Sequence, residues 1–444
     1  MFPREINFSL AYHLVIVLIP AFPGTNPGQA STGEWADCPA WVLHTPVSAH
    51  ATGPRCECHG PLAEIRCYGL DAVPGFLPSA ERVLLCGLYM TRQSISSVER
   101  GAFARLRVRK IVLDFNPIGD RIDPEAFSVV DRVLRELHLG ACGVQNLPPG
   151  LLRNMAQLEY LHLWGNRLDT IPSDYFQGAE KLRELILWGN QLEYLEEGAF
   201  SGLRLLRRLD LDHNRINALS KSTFRHLASL EVLHLGRNKI HAISAEDIFG
   251  DMARLRVLTL DRNGLGFIYP KAFDSLSNLS SLSLSHNSLH LLPDSVFANL
   301  GRLVVLRLQD NRLEHSWSMT FKGLRSLHAL HLSRNRLSSL RGVVFGDSPA
   351  LRHLFLGGNL LKTLGQCVLP RQPRLKTLEL TGNPIKCDCK LVWMRSLLRK
   401  NLELSVTGSC TGQLVSVVSS VLDMATDRPK GGCTPPTPVQ QCNS

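Results

Sequence analysis

Hydrophobic positions repeat in one fixed frame along most of this chain. The pattern Leu-x-x-Leu-x-Leu-x-x-Asn-x-Leu/Ile places its asparagine at Asn116, Asn166, Asn190, Asn214, Asn238, Asn263, Asn287, Asn311, Asn335, Asn359 and Asn383. Gln93 and Cys142 fill the same slot in two further units, which makes thirteen. From Cys142 onward the step is 24 residues, with one of 25 between Asn238 and Asn263. A phenylalanine follows the slot by ten residues at Phe103, Phe176, Phe200, Phe224, Phe273, Phe297, Phe321 and Phe345, and by eleven at Phe127 and Phe249. Within a unit the Leu-x-Leu pair alternates with period two, which predicts a short strand with buried leucines. The asparagine is expected to turn inward and bond backbone groups of neighbouring coils, and the phenylalanines to form a second spine on the convex side. One unit cannot bury its leucines alone, so the units must stack into a curved solenoid with a parallel sheet along its inner face.

The polar half of the alternation defines a surface. Residues two, four and six before the slot point out onto the concave face, and two of them are tryptophans at one offset, Trp164 and Trp188. On adjacent parallel strands they should lie side by side, about 4.8 Å apart. The same rule gathers Tyr160, His162, Glu184, Ile186, Arg208, Asp210, Asp212 and His234 around them as candidate ligand-binding residues, with Gly165 and Gly189 expected to leave room beside the indoles. Two readings compete. The indoles stack on each other and stabilise the sheet by about 1 kcal/mol, or they form a contact site. An aromatic cluster rimmed by charge is the usual make-up of a binding hot spot, which favours contact.

On this repeat, the chain resembles the extracellular leucine-rich-repeat proteins over nearly all its length beyond the N-terminus. The resemblance implies an α/β leucine-rich-repeat solenoid. The stretch Asn383-Pro-Ile-Lys-Cys387-Asp-Cys389-Lys-Leu-Val-Trp393, with Cys410 and Cys433 beyond, resembles the cysteine-rich C-terminal cap of Slit proteins, Nogo receptors and chondroadherin. Cys56-Glu-Cys58 with Cys67 resembles the N-terminal cap. That likeness implies bridges Cys38–Cys58, Cys56–Cys67, Cys387–Cys410 and Cys389–Cys433, and a short helix carrying Trp393 over the final coil. Cys38 departs from the pattern, standing 18 residues before Cys56 where the family has a few. Paired Cys-x-Cys motifs also suit zinc, but these flank the solenoid at opposite ends rather than at finger spacing. Cys142 reads as a buried thiol, while a Cys367–Cys442 tie and the state of Cys86 stay open.

The ends complete the organisation. After Arg4 an apolar run, Leu10 to Phe22, precedes small residues including Gly28 and Ala30, as in a secretory signal cleaved between residues 22 and 30. The expected division is a leader at 1–30, an N-terminal cap at 31–80, thirteen repeats at 81–385, a C-terminal cap at 386–433 and a Pro-rich tail at 434–444. Twelve cysteines favour an oxidising compartment. No later stretch reaches 18 apolar residues, so neither a membrane span nor a glycolipid anchor is expected, and the product should reside in the extracellular space or matrix. The sequon Asn278-Leu-Ser280 is a glycosylation candidate, with Asn278 expected to be exposed.

Charge adds a second candidate surface. Residues 352–400 hold ten Lys or Arg against Glu379 and Asp388, which is +8 of the chain's +10. Lys362, Arg371, Arg374, Lys376, Lys386, Lys390, Arg395, Arg399 and Lys400 are therefore candidates for binding heparan-sulfate-like polyanions, nucleic acid being an improbable target outside a cell. Catalytic motifs are missing: there is no Gly-x-Ser-x-Gly, His-Glu-x-x-His or phosphate loop. His138, His162, His234 and His331 instead fall four before the slot, as outward-facing residues of the strands. No enzyme, cofactor or metal is expected. The pattern points to a secreted binding protein that recognises a protein, matrix or cell-surface ligand through its concave face. Recognition of foreign surfaces and a structural matrix spacer are the alternatives.

Overall fold

The computed structural model describes residues 55–59, 64–73, 84–104, 106–173, 175–244, 248–314, 319–340, 342–369, 372–412 and 416–423. The leader, most of the segment 31–80 and the tail at 434–444 lie outside these. Among the described residues one sheet of sixteen strands runs the length of the protein. Its first two strands, Arg55–His59 and Glu64–Tyr68, pair antiparallel, and every later neighbour is parallel and in sequence order. Most strands are three residues long, as in Tyr160–His162 and Glu184–Ile186. Register follows the 24-residue period: Leu137, Leu161, Leu185, Leu209 and Leu233 stand opposite one another and are fully buried. A slip of one residue would turn each of these leucines into water, so the apolar frame fixes the pairing.

Three interactions hold coil to coil. In the slot, Asn214 Nδ2 donates to the carbonyls of Leu187 and Leu211, both at 3.0 Å, while its Oδ1 accepts from the Leu192 N–H at 3.1 Å. The other slot asparagines repeat this, so backbone groups freed by each turn are satisfied inside the stack. At Cys142 the thiol replaces the amide, with Sγ 3.2 Å from the Leu113 carbonyl. Burial pushes that thiol up to about 12. On the far side the phenylalanines stack, for example Phe176, Phe200, Phe224, Phe249 and Phe273 at centroid spacings of 6.0–6.3 Å. These columns are the expected spine.

The residue just before each slot has a positive φ in all thirteen units, from Arg92 at 57° to Gly382 at 74°. This left-handed residue turns the chain off the strand and lets the slot side chain point inward. Gly165 and Gly189 occupy that position at φ 67° and 73°, so they serve the turn. The expectation that they make room beside the indoles is corrected: the space beneath Trp164 comes from Gly140, where a β-carbon would lie 2.3 Å from the indole ring.

Disulfides lie towards both ends. Cys56–Cys67 links the antiparallel pair, and Cys387–Cys410 crosses the segment after the last repeat. Cys389 and Cys367 are also disulfide-bonded, whereas Cys86 and Cys142 are free. Cys38, Cys433 and Cys442, and the side chain of Cys58, lie outside the described residues. A short helix α1 (Trp393–Lys400) closes the stack, with Trp393 buried and its Nε1 donating to the Leu364 carbonyl at 3.1 Å. A second helix, α2, spans Val417–Asp423. Among the described residues no helix is long and apolar enough to cross a membrane.

A candidate ligand-binding face

Because each strand sits one coil from the next, residues at equal offsets form rows across the concave face. In the row two before the slot, Trp164 and Trp188 stack with centroids 5.4 Å apart and planes within 7°. Trp188 is 38% exposed, a large value for an indole in a sheet of buried leucines. Two side chains at the left-handed positions extend the stack. Phe115 meets Trp164 edge-on at 5.1 Å, and His213 lies 6.4 Å from Trp188. Arg92 then sits over the Phe115 ring at 4.9 Å. The result is an aromatic band spanning several coils, with a cation at its N-terminal end.

A charged row lies four and six residues before the slot. Lys110 Nζ approaches Glu136 at 2.8 Å, His138 packs against His162 at 4.1 Å between ring centroids, and His162 Nε2 meets Glu184 Oε1 at 2.9 Å. His138, its Nε2 3.6 Å from Oε2, together with Lys110 holds Glu136 down at about 2. Arg208 reaches both Glu184 at 3.9 Å and Asp210 at 3.3 Å. Asp212 differs. Burial, and then the nearby charge of Asp210, push its carboxyl up to about 7 despite a hydrogen bond from the Gly236 N–H. His234 bonds Thr259 at 3.0 Å and is held below the usual histidine value by burial.

Most candidate residues thus share one surface: Tyr160, His162, Trp164, Glu184, Arg208, Asp212 and His234 are half-buried and Trp188 is exposed. Ile186 and Asp210 are 7% and 8% exposed. They point towards the face but lie beneath their neighbours, so they floor it rather than present it. Phe115, Arg92 and His213 were missed because they belong to the turn and not to the alternating strand.

The basic residues near the C-terminal end are carried by several different elements. Lys362 and Lys386 stand three after their slots, and the Lys386 N–H donates to the Lys362 carbonyl at 2.8 Å. Lys376 stands seven before its slot, beyond the other end of the strand, and pairs with Glu403 at 3.0 Å. Lys390 follows in a 3-10 turn, Arg395, Arg399 and Lys400 ride on α1, Arg374 precedes the last repeat strand, and Arg371 lies outside the described residues. Asn278 is half-buried rather than exposed. Its Nδ2 donates to the Ala253 carbonyl at 2.8 Å and its Oδ1 accepts from Arg302. The described residues bring together no group of three or more His, Cys, Asp or Glu suited to a metal ion.

The Leucine rich repeat family profile matches residues 132–192, 156–216, 204–265, 253–313 and 325–385. Several solved structures share the fold. A leucine-rich-repeat protein of Leptospira interrogans is 24% identical with TM-score 0.55, the match covering 76% of this chain and 93% of that one. The Toll–Spatzle complex of Drosophila is 21% identical with TM-score 0.60, covering 80% and 57%. An internalin of Listeria monocytogenes is 21% identical with TM-score 0.55, covering 74% and 87%. At such identities the likeness concerns fold alone. No curated protein sequence matches the chain significantly.

Proposed function

The chain belongs to the leucine-rich-repeat family, and from that premise we propose that it is a secreted, non-catalytic binding protein that takes a protein ligand on its concave face. The observation carrying this reading is the partly exposed Trp164–Trp188 stack, flanked by Phe115 and His213 and rimmed by charge. A scaffold gains little from leaving an indole in water, whereas tryptophan at the centre of an interface contributes about 2 kcal/mol or more. Leucine-rich-repeat proteins generally bind proteins, and the Drosophila Toll structure was obtained with a bound partner. The leader, the cap-like cysteines and the Asn278 sequon support an extracellular setting, glycosylated Nδ2 keeping one hydrogen for Ala253. The test is the Trp164→Ala/Trp188→Ala double variant, compared with the native protein in crosslinking capture from native fluid and in melting. Lost capture with melting almost unchanged supports the reading. Intact capture with a large fall in melting assigns the tryptophans to the scaffold.

A second attachment is proposed at the basic end, where Lys362, Lys386, Lys390, Arg399 and Lys400 are exposed. Their spread around the end of the solenoid suits a flexible polyanion such as heparan sulfate, which can wrap, better than a flat protein surface. Reversing Lys362, Lys386 and Lys390 to Glu should lower the salt needed for heparin elution, since counterion release scales with paired charges. Unchanged elution would leave these residues as ordinary solvated surface.

A further inference from the structure

We propose that the occupant of the concave face is cationic: an extended protein segment that lays an arginine or lysine side chain against the open face of Trp188 and over the Asp212 and Asp261 carboxylates. The inference rests on the concave face being the binding surface, and it specifies the partner's chemistry.

The charge distribution comes first. The chain as a whole carries +10. Yet the outward positions of its strands from Lys110–Val112 to Val257–Thr259, with the residue two before each slot, hold Asp114, Glu136, Glu184, Asp210, Asp212 and Asp261 against Lys110 and Arg208, a formal net of −4 when every carboxyl is ionised and the histidines are neutral. A basic protein has gathered acid on its inner face. The rim arginines Arg237 and Arg262 temper this, and they stand exposed at the turn. An anionic partner would meet the wrong sign here, and a neutral one would leave the acids desolvated and unmatched.

The local geometry places the cation. In the row two before the slot the order is Gly140, Trp164, Trp188, Asp212, Gly236, Asp261. Trp164 leans into the space over Gly140 and Trp188 stacks on Trp164, so the second face of Trp188 is turned towards the Asp212 coil, where the tilted His213 ring lies 6.4 Å away. Asp212 and Asp261 converge over the buried Gly236: a β-carbon there would be 3.2 Å from Oδ1 of each, so the two carboxylates lie together beyond Trp188. Of the other acids, Glu136 has Lys110, Glu184 and Asp210 share Arg208, and Asp114 accepts from the Gly140 N–H at 2.7 Å. Among the described residues Asp212 and Asp261 have no Lys or Arg within ion-pair distance. Burial has already made the Asp212 anion costly, which is the condition of a carboxylate awaiting a counter-charge. A guanidinium suits the site, since its plane stacks on an indole while its edge donates to a carboxylate.

Selection of a random twelve-residue peptide library on the immobilised full-length protein tests the proposal. Enriched peptides should carry Arg or Lys, and should bind at least tenfold more weakly to Asp212→Asn/Asp261→Asn, whose near-isosteric amides keep the fold. Enriched peptides without a basic residue that nevertheless lose binding to Trp164→Ala/Trp188→Ala overturn the cationic occupant and leave the concave surface standing. Basic peptides that bind both variants as well as the native protein overturn the two together.

Discussion

The Trp164 indole occupies the space that any side chain on Gly140 would need, its ring atoms lying 2.3 Å from that β-carbon position. The exposed stack is therefore set by a glycine one coil earlier. Gly140→Ala should expel Trp164 from this seat and separate it from Trp188. Stacked indoles give a coupled signal in circular dichroism. That couplet should disappear in Gly140→Ala, with a stability loss of about 1 kcal/mol from the broken aromatic pair. A couplet that persists would show that Trp164 has another place to rest.

The slot asparagines should be the most sensitive polar positions. Asn214→Ala strands the Leu187 and Leu211 carbonyls and the Leu192 N–H inside the stack. Each buried group left unpaired costs about 1–3 kcal/mol, so a loss of several kcal/mol is expected. Urea unfolding reads this as a lower midpoint, and since repeats couple mainly to neighbours, broadening should accompany it. A change below about 1 kcal/mol would mean that water replaces the amide.

Asp212 gives a pH-dependent prediction. Its folded-state value is raised to about 7, so its favourable contribution is present below the unfolded carboxylate value, near 4, and is lost as pH rises through 7. Asp212→Asn keeps an oxygen to accept from Gly236 and removes the ionisation. The variant should therefore be more stable than the native protein at pH 8, by about 2 kcal/mol, and little different at pH 4. Melting curves at the two pH values check both the size and the sense.

The free thiols should divide cleanly. Cys142 is 1% exposed and its thiol is pushed up to about 12, so a thiol reagent at pH 8 should leave it unmodified in the folded protein. Cys86 is half-buried and should react first. Peptide mapping after labelling, with and without denaturant, distinguishes them. Native labelling of Cys142 would reveal opening of that coil.

The sequence made the scaffold legible because the backbone demands it. Leucines at fixed offsets and an amide for the orphaned backbone groups leave few substitutes, and period fixes register, so the pairing of Trp164 with Trp188 follows. What alternation cannot show is cover. Ile186 and Asp210 were placed by direction, yet both are buried, with Arg208 drawn onto Asp210. Phe115 and His213 escaped because only the alternating positions two, four and six before the slot were counted onto the face. The clue was available: glycines at the same offset in Gly165, Gly189, Gly358 and Gly382 signal a left-handed backbone, and that conformation swings any side chain there to the rim.

The left-handed turn carries a cost wherever its residue is not glycine. Nine of the thirteen such positions bear side chains, among them Arg92, Phe115, His213, Arg237, Arg262 and Arg334. Each holds an L-residue in a conformation disfavoured by roughly 1 kcal/mol. Replacing them with glycine is thus an accessible route to a more robust protein. The same replacements would strip the rim of its aromatic and cationic side chains. If the concave face binds as proposed, thermal robustness and discrimination between partners are drawn from one row of residues, and a gain in either is taken from the other.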